Sequence, residues 1–329
     1  MKKLINKPGD VVSEMLSGLA KANPQLSYLG RDVEVICRKE KTAGKVGLVS
    51  GGGSGHEPAH AGYVGRGMLD AAVAGNVFAS PSPDRILEGI KAADNGAGVL
   101  LIIKNYSGDI MNFEMAAELA EFEDIQTEKV VVKDDVAVPD STFSTGRRGI
   151  AGTVFVHKIA GAAAEAGKTL AEVKAVAEKV VANVRTMGMA MTPCILPGVG
   201  KAGFTLAEDE VEIGMGIHGE PGINREIISD AAQTAKKLLD KILADYDFGG
   251  SEVAVMVNGL GGTPLMELYI MYHEAEKLLS EKGIRIYKSF VGNYMTSLEM
   301  AGCSITLLKL DDELKELLDA PADTPALKC

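Results

Sequence analysis

Residues 45–58 read KVGLVSGGGSGHEP and residues 98–109 read GVLLIIKNYSGD, and these two stretches decide the fold class. The run 98–103 is apolar without a break, as expected of a strand covered on both faces of a parallel sheet. Residues 45–49 form a shorter run of the same kind. Each run ends abruptly in a glycine-rich or polar turn. Outward from them, residues 11–22 place Val12, Met15, Leu16 and Leu19 at helical spacing. Residues 32–37 and 129–132 predict further strands, and 110–121 a helix. Ser82, Pro83 and Asp84 open a helix over 82–93 as cap, first-turn proline and acidic residue at the positive end. Strands alternating with helices predict an α/β domain with a largely parallel sheet.

The 329 residues correspond to about two domains. Residues 153–187 read as two helices parted by Gly167 and Lys168, with Thr169 as a cap. The Gly/Pro-rich stretch 187–203 marks a boundary, giving an N-terminal domain over 1–186 and a C-terminal domain over 187–329. In the latter, 204–206, 210–217, 252–257, 285–289 and 304–310 predict strands, and 225–245 and 264–281 helices. The expected fold is α/β: two α/β domains.

A formal charge of −11, 5% aromatics and no Trp exclude a nucleic-acid surface, which needs a basic stripe or stacking platforms. Cys37, Cys194, Cys303 and Cys329 are scattered single thiols without C-x-x-C spacing, so no zinc knuckle or redox pair is expected and a reducing compartment is. The N-terminus, MKKLINKPGDVVSEML, lacks the apolar core of a signal peptide, and no apolar run reaches membrane-spanning length. A cytoplasmic protein without membrane or nucleic-acid partners is the expectation.

Four motifs carry chemistry. Gly51, Gly52, Gly53 and Gly55 flank Ser54 just after a strand, a backbone that can bring its N–H groups close to a ligand. The stretch matches neither G-x-x-x-x-G-K-[ST] nor G-x-G-x-x-G, because His56 stands in the last glycine's place. His56 itself is placed for proton transfer. In 104–109 (KNYSGD), Lys104 and Asp109 lie at a strand's carboxyl end, where open α/β sheets hold ligands. Asp109 is either a helix cap or a general base facing the same crevice as His56. Residues 214–222 (GMGIHGEPG) set His218 among glycines and a proline, where it is a metal ligand, an acid/base or a nucleophile; the sequence offers no companion metal ligands. Residues 257–264 (VNGLGGTP) read as a strand-to-helix turn. His60, His157 and His273 read as structural, and the pairs Asp134–Asp135 and Arg147–Arg148 as solvated faces, with the arginines able to meet an acidic partner.

Together, GLVSGGGSGHEPAHAGYVGRGM, LLIIKNYSGDIMNFEMA, GRRGIAGTV, GIHGEPG and NGLGGTPLMELY closely resemble the K subunit of dihydroxyacetone kinase, in that family's order and across the whole chain. The resemblance implies two α/β domains, a homodimer, and an active site near the domain interface. It implies that His218 adds to the ketone of dihydroxyacetone as a covalent hemiaminal. It further implies that Gly53, Ser54, Gly55 and Lys104 contact the triose, and that Asp109 and His56 bind its hydroxyls and handle the proton lost on phosphorylation. Which of these two is the base stays open. A reversible bond to the carbonyl gives a small neutral ligand an affinity that non-covalent contacts cannot supply, and it excludes glycerol. The attacking nitrogen must be neutral, so capture should weaken well below about pH 6.5.

ATP-dependent members carry a helical nucleotide-binding domain on the same chain, whereas this sequence stops at Cys329 and has no Walker loop. The resemblance therefore implies the phosphoenolpyruvate:phosphotransferase-system type. No cofactor is then expected on this chain. ADP and magnesium sit on a partner L subunit, recharged by a phosphotransferase-system phosphocarrier. Other relatives are dihydroxyacetone-sensing co-activators of a transcription regulator, or kinases of related short-chain ketoses; Lys104, Asp109 and His56 beside His218 favour the kinase.

Overall fold

The computed structural model describes residues 2–139, 146–200 and 202–329. They divide into two compact units, one of residues 1–132, 154–180 and 316–329, the other of 133–153 and 181–315. Both units are discontinuous in sequence. Residue 187, where the sequence reading sets its single boundary, lies inside a strand of the second unit.

The first unit holds strands β1 (Leu26–Tyr28), β2 (Val35–Arg38), β3 (Gly47–Ser54), β4 (Ala71–Val77), β5 (Val99–Lys104) and β6 (Thr127–Val132), in the order β1-β2-β4-β3-β5-β6. The pairs β4–β3, β3–β5 and β5–β6 are parallel, and β1–β2 and β2–β4 antiparallel. On one face Val35, Val49, Val73, Leu101 and Ile103 pack against Ile86 and Ile90 of α2 (Pro83–Ala93) and Phe113 of α3 (Ser107–Glu121). Leu48, Leu100 and Ile102, pointing the other way, are equally buried, as the unbroken apolar run of β5 predicts. Helices α1 (Val11–Ala22), α4 (Thr153–Glu165) and α5 (Leu170–Asn183) follow the predicted spans closely.

This strand order creates a crevice. From β3 the chain moves to β4 on one side, and from β5 to β6 on the other. The β3–β5 pairing runs from Gly47↔Val99 to Ser50↔Ile102 and stops there. The carboxyl ends of β3 and β5 therefore part at the topological switch point, where ligands of open α/β sheets bind.

The second unit's sheet contains β7 (Val184–Ala190), β8 (Glu210–Ile213), β9 (Asn224–Ile227), β10 (Glu252–Gly259), β11 (Arg285–Gly292) and β12 (Gly302–Leu310), in the order β11-β10-β12-β7-β8-β9. Only β10–β11 is parallel. Helices α6 (Ala231–Asp245) and α7 (Leu265–Glu281) cover one face through Leu238, Leu239, Leu268 and Leu279, which meet Val253, Val255 and Ile305.

Several predicted spans change. The glycines 51–53 with Ser54 are strand and not loop. Residues 210–217 stop being strand at Ile213, because Gly214 turns left-handed with φ +80°. Residues 204–206 form no strand. The helix predicted over 225–245 begins only at Ala231, where Asp230 caps it by accepting a bond from the Gln233 N–H at 2.8 Å. Residues 224–227 instead pair antiparallel with β8. The helix predicted over 110–121 starts at Ser107, which puts Asp109 inside its first turn rather than at its cap. β1, β4, β7, β9 and α8 (Asp312–Asp319) are absent from the predicted elements, and residues 184–187, read as the end of a helix, are the start of β7.

Candidate functional site

In the first unit the site grows from β3. A methyl group on Gly51 would fall against the Val73 carbonyl, and one on Gly53 within 2.6–2.8 Å of the Phe78–Ala79 backbone. Only glycine lets β3 lie this close to its neighbours. Gly52, between them, faces the crevice. Its missing Cβ would sit 3.4 Å from Lys104 Cε and Nζ and 3.5 Å from Asp109 Oδ2, so the last side chain of β5 and the first turn of α3 converge on it.

Lys104 and His56 are fully buried, and Asp109 nearly so. The Ser80 hydroxyl donates to Asp109 Oδ1, and the His56 ring stacks on Phe78 with centroids 5.1 Å apart. Lys104 Nζ lies 5.3 Å from the centre of the Tyr106 ring. Ser54 donates to the Gly75 carbonyl at 2.8 Å, and the Gly55 N–H to Glu57 Oε1 at 3.0 Å. Burial raises the Glu57 carboxyl above its ordinary range. An ammonium, a carboxylate and an imidazole thus line one end of a glycine strand.

Behind them, two histidines with bland sequence readings form a buried chain. Ser50 Oγ donates to the Ile102 carbonyl at 2.7 Å and lies 3.3 Å from His60 Nδ1, which is 3.0 Å from His157 Nε2. Burial, and after it the charge of Lys104, depresses both rings: His60 well below its ordinary 6.5, His157 to about 3. Both are therefore neutral at pH 7. The sequence had no signal for this pairing, because His60 and His157 are 97 residues apart.

In the second unit, residues 214–222 turn sharply, with left-handed Gly214 and Gly219 (φ +80° and +90°). His218 Nδ1 lies 2.8 Å from Glu220 Oε1, and the His218 N–H donates to Glu220 Oε2. With Glu220 ionised, this bond places a proton on Nδ1 and the lone pair on Nε2. Burial would raise the Glu220 carboxyl, but its bond to His218 and the charge of Arg148 hold it below the ordinary range. Arg148 Nε donates to Asp135 Oδ2 at 2.8 Å, and Arg148 Nη2 to the Gly214 carbonyl at 2.7 Å.

The solvated reading of Asp134–Asp135 and Arg147–Arg148 is corrected. Asp134 is fully buried, and its carboxylate accepts from the N–H groups of Ile150 and Gly152 and the Thr186 hydroxyl. Arg147 forks onto Asp245 with both Nη atoms. Residues 257–264 are a structural tie: Asn258 Oδ1 accepts from the N–H groups of Tyr294 and Met295, and Thr263 donates to the Gly302 carbonyl. His273 is exposed on α7. Among the described residues no group of three or more His, Cys, Asp or Glu can hold a metal, and no helix is long and apolar enough to cross a membrane.

The sequence pattern of the Dak1 domain family matches residues 17–326. At 58% identity, covering 99% of this chain and all of the relative, the sequence is similar to the PTS-dependent dihydroxyacetone kinase 1, dihydroxyacetone-binding subunit DhaK, of Listeria innocua. Two solved structures superpose with a TM-score of 0.91 at 38% identity. One is the dihydroxyacetone kinase operon co-activator Dha-DhaQ, with 98% of each chain covered. The other is the native dihydroxyacetone kinase of C. freundii, covering 99% of this chain and 60% of that one.

Proposed function

The chain belongs to the Dak1 domain family, and on that premise we propose that it is the dihydroxyacetone-binding subunit of a kinase that makes dihydroxyacetone phosphate. The observation that carries the mechanism is the bond between His218 Nδ1 and Glu220. With Nδ1 committed as the donor, Nε2 is the nucleophile. It adds to C2 of the ketone as the carbonyl π pair moves to oxygen. That oxygen takes up a proton from solvent, and the Nδ1 proton passes to Glu220, so the adduct is neutral and Glu220 is left protonated until it returns the proton to solvent.

Capture of this kind holds a triose by one covalent bond and leaves its terminal hydroxyls for chemistry. Lys104, with the backbone at Gly53, Ser54 and Gly55, would fix the triose. His56 or Asp109 would accept the proton of the hydroxyl that attacks phosphorus. Asp109 is held by the Ser80 hydroxyl, which fixes one of its oxygens, and His56 is kept in place by its stacking on Phe78. Phosphate would come from an L subunit whose bound ADP, held with magnesium, is first rephosphorylated by a phosphotransferase-system carrier and is ADP again once the terminal phosphoryl group has passed to the triose. We place this reaction in the cytoplasm, on a homodimer.

The likeness to the co-activator supports a second reading, in which the chain senses dihydroxyacetone for a transcription regulator. Triose phosphate formation decides between the two. It is measured with ATP and magnesium alone, and again with an ADP-loaded L subunit and phosphorylated carrier. Product only in the second mixture establishes the kinase subunit. Product in neither, with dihydroxyacetone still held on His218, establishes the sensor.

A further inference from the structure

We propose that Arg148, seated on Asp135, is a positioning residue that fixes the carboxylate of Glu220 and through it the tautomer of His218. The inference rests on the reading of His218 as nucleophile only for its consequence in catalysis; the tautomer itself can be read without substrate.

The geometry begins at Gly216. A Cβ there would collide with Glu220 Oε2 and stand 2.6 Å from Arg148 Nη1, so the carboxylate and the guanidinium approach the same point from two sides. The guanidinium has little freedom to leave it. Its Nε bonds Asp135 at 2.8 Å, and its Nη2 reaches the Asp135 carboxylate and the Gly214 carbonyl, each at 2.7 Å. The Asp135 carboxylate is held in turn by the Ala137 N–H at 2.9 Å. Arg148 and Asp135 are almost fully buried. The segment that carries Arg148 is pinned on its other side by Asp134, through the Ile150 and Gly152 N–H groups at 2.8 and 2.7 Å.

A planar fork suits this duty, because it presents separate N–H groups to Asp135, to Gly214 and toward Glu220 at once. The positive charge beside Glu220 keeps it ionised. An ionised Glu220 accepts the Nδ1 proton, which leaves the lone pair on Nε2. A protonated or swung-away Glu220 would let the proton move to Nε2, and that nitrogen could then no longer attack a carbonyl. Arg148 touches no reacting atom in this scheme; it acts through Glu220.

The test uses the full chain as wild type, Arg148→Met, Arg148→Lys and Asp135→Asn. Nitrogen-15 NMR of labelled histidine reports which nitrogen of His218 carries the proton, and carbon-13-labelled dihydroxyacetone reports the change of C2 from ketone to adduct. The wild type should be the Nδ1–H form. Arg148→Met should populate Nε2–H and weaken adduct formation roughly ten- to hundredfold, the range for losing a charge-assisted contact. Arg148→Lys should recover part of this, and Asp135→Asn should lie between. A thermal midpoint lowered in Arg148→Met with tautomer and adduct affinity both unchanged would reduce Arg148 to a structural role and overturn the proposal. If Arg148→Met does not fold, the tautomer in Arg148→Lys and Asp135→Asn decides in the same way. A wild type that forms no adduct refutes the nucleophile reading, whereas the tautomer comparison still judges the positioning claim.

Discussion

Two glycine-rich stretches, 51–55 in the first unit and 214–222 in the second, look alike as sequence and differ in what occupies the space of the absent side chains. At Gly51 and Gly53 that space is filled by the backbone of neighbouring segments. At Gly216 it is filled by the working ends of Glu220 and Arg148. The first set of glycines lets a sheet close and opens one gap, at Gly52, onto Lys104 and Asp109. In the second, Gly216 makes room for the groups that hold a histidine, while Gly222 again meets backbone, that of Ile213. Glycine richness marks close approach in both, and only the atoms that approach tell architecture from chemistry.

In the proposed mechanism the two stretches divide the labour, capture in the second unit and proton handling in the first. His218→Ala should leave no adduct detectable by carbon-13 NMR and no turnover. Asp109→Asn should lower turnover by about 10²–10⁴-fold, the usual share of a general acid or base, while the adduct largely survives. An Asp109→Asn chain with normal turnover would remove that residue from the mechanism. Adduct on the His218→Ala chain would erase the division altogether.

Substitution at the glycines themselves sharpens the contrast. Gly51→Ala drives a methyl group into the Val73 carbonyl, so β4 must move away from β3; a loss of about 3 kcal/mol is expected in urea unfolding. At Gly216→Ala the methyl group meets first the carboxylate end of Glu220, which can swing aside although Arg148 is held. Stability should then fall by only about 1 kcal/mol, while adduct formation drops at least about tenfold. Should both variants lose stability equally and both retain capture, the two glycine sets serve one purpose.

How much of this was legible in the sequence follows from how local each cause is. β5 could be read because five consecutive apolar residues, Val99 to Ile103, have few homes other than a strand covered on both faces. Lys104 and Asp109 were legible as the residues at its carboxyl end. The middle of β3 was misread because its glycines are dictated by Val73 and Phe78, more than twenty residues away. β9 was hidden inside a helical-looking stretch, and only its pairing with β8 and the Asp230 cap separate it from α6. His218 announced itself by its setting. Glu220, two residues on, was quoted within the motif without its role, since a carboxylate in a turn is ordinary until its distance to an imidazole is known. Arg148 and Asp135 read as surface charge because a charged pair carries no sequence mark of being buried.

Two buried groups, His157 in the first unit and Asp135 in the second, answer acid oppositely, and acid should therefore push their surroundings in opposite directions. His157 is depressed from 6.5 to about 3, so the stability conferred by its neutral ring is complete above 6.5 and drains as pH falls toward 3. At pH 5 the loss relative to neutral pH is about 2 kcal/mol. Burial, only partly offset by Arg148, raises Asp135 from 3.8 to about 6. Its contribution is complete below 3.8 and gone above 6, so acidification to pH 5 returns about 1 kcal/mol to the second unit. Hydrogen exchange at pH 7 and pH 5, corrected for intrinsic rates, should show α4 opening more readily and the 133–139 and 146–153 segments less. His157→Phe should flatten the response of α4, and Asp135→Asn that of the second unit. A common direction in both units would assign the acid response to net charge instead.

The smallest expected effect comes from a glycine of neither set. Gly18 lies inside α1 with nothing within 4 Å of where its Cβ would be, and its φ needs no glycine. If close approach is what makes Gly51 and Gly216 irreplaceable, Gly18 should be replaceable at a gain. Gly18→Ala should raise unfolding free energy by about 0.5–1 kcal/mol, because alanine loses less backbone freedom on entering a helix. Turnover should not change, since α1 supplies none of the groups that meet the triose in the proposed mechanism. A loss of stability instead would mean that open space around a glycine does not predict tolerance in this fold, and the same inference drawn at Gly51 and Gly216 from occupied space would weaken with it.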